Sequence, residues 1–469
     1  MSFSNQIYNL HKIYYMLKKD FQINPVVIIV FFTIISMSLK AQQKDAYEMN
    51  VDGVNVVVQP GGNEIVEIQT IIKGGVQNYT SGKEGVESLA MTALTECGTL
   101  KDDKNSFKNK LDKVDAQVYG YTSMDYATFT MNCIKSDFDV VWPLYVDALT
   151  TPVFDAKEFT RIQQDAVNIL KARESQPDYS ISKMARETAF TGKDYAKSPE
   201  GTEAILNQLT PEETKAYYKS ILTKSRLLIV VVGDIDKTIL EQKIKIMLAA
   251  IPAGKPFVLK KEMYSPSQNT FKTEKKDLAT NYIVGVTGAP NTGTPDFNAF
   301  LLGMRIFYDR NFLEVRTNNG LSYAPYAFFS GGLTSSANIG VSTTEPDKYI
   351  GVVKSLISKT KKEGFTEDEL KNMKSTYITG FYSRQETNDA QASSLASNEV
   401  LHSNWRRSLT LNDDLKKVTV ADVNKVFNKY IKNLTWVYQG NPSKVDPTLY
   451  TSDAKVQLPP SKVTKTKIN

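Results

Sequence analysis

Residues 209–221 read LTPEETKAYYKSI, and residues 418–430 read VTVADVNKVFNKY. The first opens a helix, with Thr210 and Glu213 at capping-box spacing and Pro211 at the first helical position. Thr419 opens the second, 209 residues later. Each is followed by an apolar strand, at 227–232 and at 434–438. Each strand ends at a corner, Gly233-Asp234 and Gly440-Asn441. Helix, strand and corner in the same order at one offset mark an internal duplication.

The remaining segments fall into the same two series. In the first half, residues 55–58 and 66–72 alternate like a β-hairpin around Pro60-Gly61-Gly62. Helices are expected at 84–96, 103–113, 138–149 and 156–174, with strands at 116–123 and 127–134. In the second half, strands are expected at 281–286, 323–329 and 335–342. Helices are expected at 296–312, 348–361 and 367–385. The fold class is therefore α+β, with two homologous halves. Each would be a mostly antiparallel sheet with helices packed on one face. The expected division is a leader over 1–41, a first domain over 42–252, a Pro-, Lys- and Ser-containing linker over 253–276 and a second domain over 277–469.

Bulk composition narrows the function. The chain has 469 residues, 41% hydrophobic and 23% charged, enough for two sizeable cores. Lys12, Lys18, Lys19 and Lys40 against Asp20 place +3 of the net +6 in the leader. No basic block is dense enough for nucleic acid. Two cysteines, Cys97 and Cys133, are too few for a disulfide framework, and whether they pair is open. The two histidines are His11, inside the leader, and His402. A chain cleaved after the leader cannot build a zinc site with two histidine ligands.

Lys18-Lys19, the apolar run 26–35 and Ala41 have the layout of a signal peptide. Cleavage is expected after Ala41 or Ser38, and Met16 is an alternative start. An uncleaved anchor is the competing reading. The run is short for a membrane span, and no other segment is long and apolar enough to form one. The chain is expected to be exported, to the periplasm or cell envelope.

Residues 311–326, NFLEVRTNNGLSYAPY, carry the candidate chemistry. A helix end is followed by the turn residues Asn318, Asn319 and Gly320, then by a strand rich in tyrosine and phenylalanine. Folding that seven-residue interval back brings Arg316 and Tyr323 to one side. Two donors without a base suit holding a carbonyl or stabilising an oxyanion. The competing reading is a core tyrosine beside an arginine paired with a carboxylate such as Glu314.

This segment resembles the C-terminal-half motif of the pitrilysin-type zinc peptidases. That family includes insulin-degrading enzyme and the mitochondrial processing peptidases. The duplication and element order extend the resemblance over roughly residues 48–447. Catalytic members carry His-x-x-Glu-His on the first helix of the first half, followed by Gly-Thr. Residues 85–99, GVESLAMTALTECGT, keep the frame and Gly98-Thr99, but the motif positions are Glu87, Ala90 and Met91. The family's third ligand would fall near Asn168 or Ile169, where no carboxylate stands. One carboxylate beside an alanine and a methionine is not a zinc site, so no metal and no cofactor is expected in this chain. Lost zinc residues beside Arg316 and Tyr323 resemble the non-metal subunits of heteromeric family members. The resemblance then implies a zinc-bearing paralogous partner, with Arg316 and Tyr323 acting in trans on a peptide substrate. It also aligns residues 116–123, AQVYGYTS, with the family's substrate-binding edge strand, giving Tyr119, Gly120 and Tyr121 as candidates. Family members usually have Asn-Ala where this chain has Tyr119-Gly120. A non-proteolytic scaffold subunit of an envelope complex is the alternative function.

Overall fold

The computed structural model of the protein describes residues 45–452. The leader over 1–41 and its cleavage point lie outside the described residues. Among the described residues, eleven strands form two sheets. The first contains β1 (Tyr47–Val51), β2 (Val54–Gln59), β3 (Ile65–Lys73), β4 (Gln117–Thr122), β5 (Tyr126–Ile134) and β6 (Leu227–Val232), in the order β1-β2-β6-β3-β5-β4. The second contains β7 (Thr270–Lys275), β8 (Asn281–Gly288), β9 (Tyr326–Ser330), β10 (Ser336–Thr343) and β11 (Thr435–Gly440), in the order β7-β11-β8-β10-β9. With β1 set aside, the two orders coincide strand for strand. In each, one pair is parallel, β2 with β6 and β7 with β11, and the remaining pairs are antiparallel. The duplication is therefore one of topology, and the fold class is α+β.

Eight helices matter to the site: α1 (Val86–Glu96), α2 (Ala156–Glu174), α3 (Pro177–Ala189), α4 (Pro211–Ile221), α5 (Phe297–Phe312), α6 (Glu367–Ser383), α7 (Asn388–His402) and α8 (Val420–Tyr430). The capping box expected at Thr210 is half formed. The Thr210 hydroxyl accepts from the Glu213 N–H at 3.1 Å, while the Glu213 carboxylate pairs with Lys83. The full box forms at Thr419, whose N–H donates to the Asp422 carboxylate at 3.0 Å while its hydroxyl accepts from the Asp422 N–H.

Two expectations are corrected. Strands β2 and β3 are not a hairpin, because β6 lies between them and pairs with both. Its sequence, LLIVVV, is buried at every position, and a strand with no polar face belongs in the middle of a sheet. Thr270–Lys275, expected inside the linker, is strand β7 on the edge of the second sheet. The stretch before it is stitched to both halves. Gln77 exchanges two hydrogen bonds with the Lys260 backbone, and the Glu262 N–H donates to the Leu333 carbonyl at 3.0 Å. The helices expected on one face of each sheet are joined by one on the other face. Helix α3 of the first half packs on β8 and β11, and α7 of the second half packs on β3 and β6. Each sheet thus has its other face covered by a helix from the opposite half. Under α7, Leu395, Ala396 and Val400 bury against Val57, Ile71 and Val230, and each large aliphatic side chain contributes roughly 1.5–3 kcal/mol.

Cys97 and Cys133 are buried and free, and burial pushes both thiols up to about 12. No helix among the described residues is long and apolar enough to cross a membrane.

Candidate functional site

Helix α5 ends in a single widened turn, Leu313–Asn318, of π-helical geometry. The Leu321 N–H returns to the Val315 carbonyl at 2.9 Å, and Gly320 takes φ +60°, a conformation that suits glycine. Glu314 does not pair with Arg316. Its carboxylate accepts from Asn318 at 2.9 Å and Asn319 at 3.1 Å. That frees the guanidinium, which lies between two rings, 4.0 Å from the Tyr323 centroid and 4.9 Å from that of Phe312. Among the described residues it has no carboxylate and no hydrogen-bond partner. Tyr323 is 79% exposed. Two rings hold the cation in place, each worth about 0.5–1 kcal/mol at an exposed site, and neither takes up its N–H groups as a hydrogen-bonding partner would.

The structure therefore brings Arg316 and Tyr323 together as the seven-residue interval requires. It departs from the expectation on one point. The strand starts at Tyr326, not Tyr323, so Tyr323 stands in a loop ahead of Pro325. Proline lacks the N–H a ladder needs, and pairing begins just after it.

In the first half the corresponding helix is α1. Glu87 is buried, 1% exposed. Its carboxylate accepts a short hydrogen bond from the Tyr217 hydroxyl of α4 and one from the Asn78 amide at 3.0 Å. Arg226 in turn donates to Asn78 at 2.5 Å. Burial pushes the Glu87 carboxyl up to about 7, against the pull of the Tyr217 and Asn78 hydrogen bonds. Ala90 and Met91 are wholly buried. Asn168 and Ile169, where a third ligand would fall, are exposed on α2. Neighbouring Asp165 pairs with Arg161 at 2.9 Å. Among the described residues, no group of three or more His, Cys, Asp or Glu is placed to hold a metal ion. The residues present do not fit zinc: one carboxylate faces inward, and the other two positions carry an alanine and a methionine, whose thioether is not a usual zinc ligand.

Strand β4 is the free edge of the first sheet and lies beside α1. Gly120 touches Met91 so closely that a Cβ there would meet the Met91 carbonyl oxygen at 2.7 Å. Tyr119 and Tyr121 alternate with it on the opposite face of the strand and stay partly exposed. Ser88 and Thr92 of α1, Gly120 and Tyr121 of β4, and Arg161 and Ile169 of α2 line an open cleft of about 600 Å³. Its charges are paired off, Lys108 with Glu96 and Arg161 with Glu158 and Asp165.

His402 is a structural residue. Its Nδ1 accepts from the Gly293 N–H at 2.9 Å, and burial lowers the imidazole to about 4. Sequence reasoning missed Phe312 as the second ring on Arg316, although its position four residues earlier on a helix was the available signal. It also missed Tyr217 and Asn78, which carry no local signal.

Comparison with known proteins follows the same division. Residues 62–203 match the family model described as insulinase, peptidase family M16. Residues 208–377 match that described as the peptidase M16 inactive domain. A Bacillus subtilis protein called an uncharacterized zinc protease, YmxG, is 20% identical over 335 residues, covering 70% of this chain and 81% of its own. A Helicobacter pylori protein called a non-peptidase homolog, also YmxG, is 20% identical over 437 residues, covering 87% of this chain and 96% of its own. The crystal structure of a peptidase M16 inactive domain from Pseudomonas fluorescens matches with a TM-score of 0.77 at 18% identity. That match covers 86% of this chain and 100% of that one, and at such identity it carries the fold.

Proposed function

Because the chain belongs to peptidase family M16, we propose that it acts as the zinc-less subunit of a heteromeric zinc peptidase. A paralogous partner supplies the metal and the attacking water. Arg316 and Tyr323 donate hydrogen bonds to the carbonyl of the bound peptide and to the oxyanion that develops on it. The edge Tyr119-Gly120-Tyr121 takes part in holding that peptide as an added strand. The leader supports a place for the complex in the periplasm or cell envelope.

The observation that carries this reading is the unpaired guanidinium of Arg316, clamped between Phe312 and Tyr323. A structural arginine would be satisfied by a carboxylate, and the nearest one in sequence is occupied by Asn318 and Asn319. The test is Arg316→Ala mixed with the zinc-bearing partner. Peptide hydrolysis should fall on the order of tenfold to a thousandfold, and gel filtration should show the complex intact. Wild-type hydrolysis by an assembled variant complex rejects the donor role and favours the scaffold.

A further inference from the structure

Each sheet has two edges, and the chain treats them differently. Strand β1 carries Glu48, and β7 carries Lys272, Glu274 and Lys275. Charges on an edge discourage another strand from pairing there. The opposite edges, β4 (QVYGYT) and β9 (YAFFS), carry none. Both occupy the same place in the duplicated strand order, and neither is paired on its outer side among the described residues.

The edge at β9 has further features. Ala327 and Phe329 point into the core, the latter with its ring 4.9 Å from Phe297 and 5.2 Å from Phe300. These contacts fix the strand rigidly. On the other face Tyr326 covers Gly340 of the neighbouring strand, and Phe328 stands 49% exposed. Strand β9 lies beside α5 as β4 lies beside α1, and it is led into by the loop that holds Tyr323. Tyr323 precedes the strand by three residues, at most about 10 Å of chain. Tyr323 and the Arg316 guanidinium stacked on it therefore lie close in the chain to the head of this unpaired edge.

We infer that β9 is a strand-addition site for an extended peptide, anchored through one of its carbonyls by Arg316 and Tyr323 and paired along residues 326–330. Backbone hydrogen bonds would supply the affinity, and Phe328 would favour an apolar side chain opposite it. The ligand class is an unstructured peptide segment with β-branched or aromatic residues at alternate positions. The identity of that ligand rests on the peptidase reading above, whereas the binding itself needs neither partner nor cleavage.

The probe is a fluorescein-labelled peptide of alternating valine and serine bearing a benzophenone, added to this chain alone. Anisotropy should report saturable binding, and cross-links mapped by mass spectrometry should fall within residues 323–330. Phe328→Lys puts a charge on the edge as β7 has, and should weaken binding about tenfold with an unchanged melting midpoint. Ser330→Lys serves if that variant folds poorly. Lys272→Ala, on the charged edge β7, should leave the cross-links at β9 in place. Cross-links confined to 117–122, no saturable binding, or wild-type affinity in the lysine variants would overturn the inference. So would a concentration-dependent dimer that Phe328→Lys abolishes, because the occupant would then be a second copy of the chain. Absent binding beside impaired hydrolysis by Arg316→Ala rejects this site and keeps the catalytic reading. Binding beside unimpaired hydrolysis does the reverse.

Discussion

Helices α1 and α5 hold corresponding places in the two halves, and their key side chains have opposite fates. Glu87 on α1 is sealed in and ligated by Tyr217 and Asn78. Arg316, one turn beyond α5, is clamped by rings and left without a polar partner among the described residues. The Glu87 carboxylate is sealed from solvent and held through one oxygen, Oε2, while Oε1 is buried without a partner, so the group belongs to the interior of the fold. A polar group that is held in place and unsatisfied at the surface is available to something else. The proposed function makes the first a converted site and the second a retained one within a single duplicated chain.

The comparison can be broken first where the conversion is tightest. Gly120→Val pushes a branched side chain onto the Met91 carbonyl, 2.7 Å from the new Cβ, and should cost about 3 kcal/mol in urea unfolding. Little change would mean that β4 and α1 separate easily and the old cleft is still open.

Next in size is Glu87→Ala. It strands the Tyr217 hydroxyl and the Asn78 amide in a buried place and should cost about 2 kcal/mol. The pH dependence sharpens the point. The Glu87 carboxyl lies at about 7 in the folded chain against 4.5 for the free group. The folded state therefore holds a proton that the unfolded state has lost. Its contribution to stability is complete below about 4.5 and fades as pH rises through about 7. Glu67, also raised to about 7 by burial, acts in the same direction. His402, lowered to about 4, acts in the opposite direction below about pH 6.5, so the Glu87 contribution is read as a difference: between pH 5 and pH 8 the wild type should lose unfolding free energy relative to Glu87→Gln. A wild type that gains on the variant over this window contradicts the buried neutral acid.

The smallest expected effect is that of zinc itself. Excess zinc should leave the melting midpoint of the chain unmoved, and dialysed protein should carry well under one zinc per chain by elemental analysis. A chelator-sensitive, one-to-one metal would return α1 to the class of working sites.

What was legible in sequence was local. The helix caps at Thr210 and Thr419, the buried strands after them and the glycine corners each depend on a few neighbouring residues, so the duplication could be read. The insertion of β6 between β2 and β3 depends on pairing across more than 150 residues, and no local pattern records it. Strand β7 was missed because its residues Lys272, Glu274 and Lys275 give no apolar alternation. The exchange of α3 and α7 between halves is likewise a tertiary fact. At the site, Arg316 and Tyr323 could be joined because a turn of known geometry links them. Glu87 could be named, but its partners lie 9 and 130 residues away and its inward fate could not.

The most direct test of the retained site removes one atom. Tyr323→Phe takes away the hydroxyl and keeps the ring that holds Arg316. Mixed with the zinc-bearing partner, the variant should assemble normally, hold KM within about twofold and lose kcat by roughly tenfold or more, because an oxyanion donor acts in the transition state. An unchanged kcat, or a loss confined to KM, would contradict the donor role assigned to Arg316 and Tyr323.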